Sequence, residues 1–218
     1  MKYAFLILYL LFTVIHLYHS WADDAKLRAY TKPFLLILLA LFYASSATNI
    51  SLLLLFALLT SWIGDVLLIP KGHKWFTRGG ISFLISHFLF MSVYLPYLKF
   101  KIIPWLLALI LAPAYYRLSL LIIRAVRPTT PDSMVTPMTM YLMVNSTMNL
   151  LALIRMFTLQ TPGSLIAYAG AVLFFASDCT LFLVRYYRDP DVIFKKHFTV
   201  MLTYLAGEFL ITLGILMH

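Results

Sequence analysis

The chain is a succession of apolar runs of about twenty residues separated by short polar connections. A stretch that long and that apolar must satisfy its own backbone hydrogen bonds in lipid, and an α-helix does so within one segment. Windows of this kind place eight spans near 3–19, 31–47, 50–69, 79–98, 102–123, 134–157, 163–187 and 198–217. Pro33, Pro70, Gly79, Gly80, Pro128, Pro131, Pro162, Gly163 and Pro190 mark several of the limits. The first run opens on Lys2 as a signal peptide does, but no small-x-small cleavage site follows, so it reads as a span. The expected fold is all-α, a polytopic transmembrane helix bundle in which residues 1–218 form a single transmembrane domain. With 62% hydrophobic and 11% charged residues, no separate soluble domain is expected.

The net charge of +9 lies mostly in the connections. That placement suits membrane orientation and anionic lipid headgroups, and not nucleic acid. The odd-numbered connections carry twelve basic residues: Lys26, Arg28, Lys32, Lys71, Lys74, Arg78, Arg124, Arg127, Arg185, Arg188, Lys195 and Lys196. The other side carries four: Lys2, Lys99, Lys101 and Arg155. The bias predicts cytoplasmic odd connections and both termini on the non-cytoplasmic side. The short chain, with no evident targeting extension, suggests a multi-pass protein of a bacterial inner membrane, although an endoplasmic-reticulum protein would look much the same. A single cysteine, Cys179, excludes an internal disulfide and a cysteine-rich metal site. Packing is the reading for Cys179, and snorkelling near helix ends for Arg117 and Arg155.

Five of the eight acidic residues fall in connections; Asp65, Asp178 and Glu208 fall inside spans. A carboxylate costs roughly 2.5–3.5 kcal/mol at the bilayer centre on insertion scales, so such residues usually have a function. At the helical rise, Asp65 lies about 6 Å inside the cytoplasmic end of its span. His87, Asp178, Glu208 and Asn145 lie roughly 12 to 16 Å inside. Five polar groups at related depths predict one polar pocket open toward the cytoplasm.

At these residues the chain resembles the YhhN-like lysoplasmalogenases. The matching pieces are Thr31-Lys32-Pro33, Ser61-x-x-Gly64-Asp65-x-x-Leu68 and Gly79-x-x-x-Phe83-x-x-x-His87. They continue with Tyr141, Met148 and Ala152, then Gly170-Ala171-x-x-Phe174-x-x-Ser177-Asp178-x-x-Leu181, then Thr203, Tyr204 and Ala206. The two aspartate motifs are the most specific. The chain departs from the family pattern at Glu208, where glutamine is common, and so adds a third titratable group. The resemblance implies an integral-membrane hydrolase that cleaves the vinyl ether bond of lysoplasmalogens to a fatty aldehyde and a glycerophospho-headgroup. Its partners would be a lysophospholipid substrate and membrane lipids, with no cofactor.

Such a reaction begins with proton transfer to the carbon β to oxygen, and water then captures the oxocarbenium ion. Two carboxyls in different environments can divide the acid and base roles, as in glycoside hydrolysis. Asp65 and Asp178 are the candidates; Asp178, the deeper, is the expected acid because desolvation is stronger there. His87 is either a proton relay or a helix-packing histidine. Lys32 either binds a substrate phosphate as a point charge or is a basic anchor at a span end. Asn145 and Asn149 share a helix face and either line the pocket or tie helices together. Tyr141 lies one turn before them, pointing inward or packing, and Glu208 completes the candidate substrate-binding set.

Two rival readings remain at this point. A proton-coupled transporter of a small or lipid-like substrate also uses intramembrane carboxylates. An intramembrane zinc hydrolase needs several histidines inside spans, whereas His16, His19, His73, His197 and His218 read as span ends or connections. No metal site is expected.

Overall fold

The computed structural model describes residues 2–217, apart from the side chain of Pro190. Among the described residues it contains eight α-helices and no strand. They are α1 (Lys2–Trp21), α2 (Ala25–Ser46), α3 (Leu52–Leu67), α4 (His73–Tyr94), α5 (Ile102–Val126), α6 (Asp132–Leu159), α7 (Pro162–Tyr186) and α8 (Lys196–Leu216). Seven are long and apolar enough to cross a membrane; α3, with 16 residues, is the shorter exception. The chain forms two compact units, Met1–Val93 and Tyr94–His218. His218 lies outside the described residues.

Helix ends differ from the sequence expectation where capping chemistry wins over proline. The second helix begins at Ala25, not at 31, because the Asp24 carboxylate accepts from the backbone N–H of Lys26 and Leu27 at 3.1 and 3.0 Å. Those donors would otherwise be orphaned at a helix start. Pro33 therefore sits inside α2. The fourth helix begins at His73, and Gly79 and Gly80 fall within it. Gly79 is there for contact: a β-carbon would lie 2.8 Å from Leu68 Cδ2.

In the first unit, α1 turns its apolar side outward, with Ile7, Leu11, Val14 and Tyr18 exposed. The inward side carries Tyr9, His16 and Ser20 against α2. Helices α3 and α4 are tied by a serine ladder: Ser82 donates to the Thr60 carbonyl (2.7 Å), and Ser61 and Ser86 hydroxyls meet at 2.7 Å. Interhelical hydroxyl bonds of this kind suit lipid, where apolar burial does not drive helix association.

In the second unit, α7 and α8 pack closest. A β-carbon at Gly170 would lie 2.7 Å from the Gly207 carbonyl oxygen, and one at Gly207 would lie 2.9 Å from the Gly170 oxygen. Only glycine lets two backbones approach this closely. Ser177 adds a bond to the Val200 carbonyl at 2.9 Å. The α6–α7 turn is set by Gln160 in the left-handed region (φ 54) and a Thr161/Ser164 capping box. Helix α5 leaves Leu106, Leu109, Ile110 and Leu121 exposed, an apolar face for lipid tails and not for water.

Candidate active site

In the first unit, Asp65 occupies the last turn of α3 and is 1% exposed. Its Oδ1 lies 3.1 Å from Lys32 Nζ on α2. The whole Thr31-Lys32-Pro33 motif is engaged around this ion pair. The Pro33 carbonyl accepts from Trp62 Nε1 at 2.7 Å, and Trp62 lies one turn before Asp65. The Thr31 hydroxyl lies 2.7 Å from His16 Nδ1 and 3.0 and 3.2 Å from the Leu27 and Arg28 carbonyl oxygens. Each residue of the triplet thus fixes α2 to a neighbouring helix, and the ammonium is held where the carboxylate needs it. Gly64 belongs to the same arrangement: a β-carbon there would lie 2.7 Å from the Phe83 ring, so glycine brings α4 against α3 beside Asp65.

His87, on α4, is fully buried. Its Nδ1 lies 2.6 Å from the Phe83 carbonyl oxygen, which can only accept, so Nδ1 carries a hydrogen. In the neutral ring, Nε2 then holds the lone pair. His16 departs from expectation: it is inside α1 and 1% exposed, bonded across to α2, and not at a span end.

In the second unit, Asp178 sits on α7 and is buried. Its Oδ2 accepts from the Tyr141 hydroxyl at 2.8 Å and from Asn145 Nδ2 at 2.7 Å. Both donors lie on α6, one turn apart, and the Tyr141 ring packs on Phe182 (centroids 5.7 Å). Asn149 extends the row by donating to Asn145 Oδ1 at 3.0 Å, which leaves the Asn145 amide hydrogens for Asp178. This relay orients Asn145, since a flipped amide would lose both bonds. Glu208 is buried on α8, two turns beyond Val200, which bonds Ser177. Its carbonyl accepts from Thr212 at 2.8 Å.

The second unit thus brings together Tyr141, Asn145, Asn149 and Asp178; the first brings together Lys32 and Asp65, with His87 on the neighbouring helix. Among the described residues no group of three His, Cys, Asp or Glu side chains is placed to hold a metal ion. Cys179 is buried, in keeping with a packing role.

The YhhN family model matches residues 27–215, which takes in both aspartates and every partner just described except His16. The chain belongs to the YhhN family. This is the lysoplasmalogenase family. No curated protein and no solved structure matches the chain. Within this YhhN chain the strongest family motifs coincide with the residues engaged around the two carboxyls.

Besides His16, sequence reasoning misplaced Arg155. Arg155 is not a snorkelling side chain: it is 1% exposed on α6. The signal was present in its spacing. Tyr141, Met148 and Arg155 recur at heptad intervals, which places Arg155 on the same side of α6 as Tyr141.

Proposed function

We propose that this protein is a multi-pass membrane hydrolase that cleaves the vinyl ether bond of lysoplasmalogens, using Asp178 as acid and Asp65 as base. What supports the reading is the contrast between two buried carboxyls in a YhhN chain. Asp65 lies against an ammonium, a setting for a carboxylate. Asp178 Oδ2 accepts from two neutral donors, the Tyr141 hydroxyl and the Asn145 amide, a setting that suits either protonation state.

The chemistry follows from those settings. With Oδ2 of Asp178 accepting two hydrogen bonds, the acidic proton belongs on Oδ1. Its transfer to the vinyl carbon β to oxygen gives an oxocarbenium ion. A carboxylate stabilises that cation and takes a proton from the attacking water. The resulting hemiacetal collapses: the carbon–oxygen bond to glycerol breaks as the glycerol oxygen takes the proton that the base gained from water, the hemiacetal hydroxyl returns its proton to the acid, and the aldehyde leaves. One water is consumed, and the acid is restored. General acid and base assistance of this kind typically contributes about 10²–10⁴-fold. In this reading the membrane is a bacterial inner membrane, with the basic connections on its cytoplasmic side.

The test is aldehyde release from lysoplasmenylethanolamine or lysoplasmenylcholine by the purified protein in detergent. Asp65→Asn and Asp178→Asn, each shown to be folded, are expected to abolish it. Turnover surviving in both variants sinks the mechanism, and transport of intact lipid without aldehyde release would mark a carrier instead.

A further inference from the structure

Arg155 is the largest fully buried side chain of the protein, and its Nε and Nη2 find no hydrogen-bond partner among the described residues. Its guanidinium lies over the rings of Tyr97 and Tyr94, at 5.2 and 5.9 Å from their centroids. Cation–π attraction of about 0.5–2 kcal/mol does not offset the several kcal/mol that burying an unpaired ion costs. Arginine also cannot escape the cost by losing its proton. Something acceptor-rich is required.

The surroundings say what kind. Thr158 lies one turn after Arg155 on α6, and its hydroxyl is buried without a partner among the described residues. The Tyr94 hydroxyl, fully buried, is in the same condition. A second cation stands at this end of α6: Lys101 Nζ donates to the Thr158 carbonyl at 3.2 Å. Glu208 is within electrostatic reach of Tyr94, yet Arg155 Nε and Nη2 take no acceptor from it. A planar fork with two open donors and two open hydroxyls matches a tetrahedral oxyanion, since guanidinium and phosphate pair in bidentate fashion.

We propose that Arg155, with Tyr94 and Thr158, binds the phosphate of a lysophospholipid. The identification of that lipid as the substrate rests on the hydrolase reading above. Arg155 comes ten residues after Asn145, about 15 Å along α6. Helical side chains lean toward the N-terminus, which brings the guanidinium back toward Asp178. In a lysoplasmalogen only the three glycerol carbons separate the vinyl ether oxygen from the phosphate ester oxygen. A phosphate gripped by Arg155 therefore sets how far the vinyl ether can lie from the acid, and selects against unphosphorylated ethers.

The full-length protein in detergent tests this by binding alone. The probes are an ester-linked lysophosphatidylethanolamine, which has no vinyl ether to cleave, a monoacylglycerol of the same chain length, and inorganic phosphate. The lysophospholipid is expected to bind at least tenfold tighter than the monoacylglycerol, and inorganic phosphate to compete with it. Arg155→Gln is expected to weaken lysophospholipid binding by about tenfold to a hundredfold, from lost hydrogen bonds to a charged group, and leave monoacylglycerol binding unchanged. Arg155→Lys, which keeps the charge and loses the fork, should fall between. Tyr94→Phe and Thr158→Val remove only hydroxyls, so they report on the site if the arginine variants do not fold. Equal affinity for the two lipids, or a phosphate preference that survives in Arg155→Gln or in the Tyr94→Phe, Thr158→Val pair, overturns the proposal. So does binding of inorganic phosphate with no preference between the lipids, which marks a free-anion site. Because no vinyl ether is involved, failure here leaves the hydrolase reading standing, and failure to release aldehyde leaves this one standing.

Discussion

The two units bury the same chemical group and compensate it in opposite ways. Asp65 faces an ammonium whose side chain is itself largely enclosed. Asp178 faces a phenol and an amide, with a second amide behind them. An ion pair fixes the ionisation of both partners, because losing either charge strands the other in a poor solvent for ions. Neutral donors make no such demand, since a phenol or amide can bond a carboxyl oxygen in either protonation state. Burial alone does not assign a role to a carboxylate; its partners do.

The contrast can be broken in stages. The largest effect is expected from Asp178→Asn and Asp65→Asn, each abolishing measurable aldehyde release, a loss of at least about 10²-fold. Next, Lys32→Met removes one partner of a buried pair and should destabilise the protein by about 3–5 kcal/mol in thermal unfolding. The double variant Lys32→Met with Asp65→Asn, which leaves no stranded charge, should recover most of that loss while staying inactive. No recovery would mean the pair is not the compensating interaction. Tyr141→Phe deletes one of two neutral donors and is expected to cost only about 1 kcal/mol in stability. Its rate should fall by about fivefold, the equivalent of that energy. The smallest effect belongs to Asn149→Ala, which touches Asp178 only through the orientation of Asn145. A loss there as large as that of Tyr141→Phe would show that amide orientation, not direct donation, governs the acid.

Much of this was legible in the sequence. Long apolar runs fixed helices as the only element, and acids stranded inside them singled out Asp65 and Asp178. The four-residue spacing put Tyr141, Asn145 and Asn149 on one face of α6 and left open whether that face lines a pocket or packs; the structure joins Tyr141 and Asn145 to Asp178. What could not be read was pairing between helices, because it depends on the rotation of two helices about their axes. Lys32 looked like a basic residue at a span end until α2 was found to start at Ala25, which places it inside the helix. That start was obscured because Asp24 was counted as a connection acid and not as a cap. Arg155 was misread for the opposite reason: distance from the helix end was weighed, and the face it occupies was not. His16 looked like the frayed edge of a span, whereas it braces Thr31 from a helix that lies outside the family match.

The backbone contact between α7 and α8 has a consequence for how this unit can move. Where Gly170 and Gly207 press main chain on main chain, there is no side chain to re-pack and no slack to slide through. Amide hydrogens along that seam should therefore be among the last in the molecule to exchange with deuterium. Among the described residues no glycine seam of this kind joins α6 to α7, and α6 carries both donors to Asp178. A displacement of α6 would therefore loosen the hydrogen bonds to Asp178, and its return would restore them.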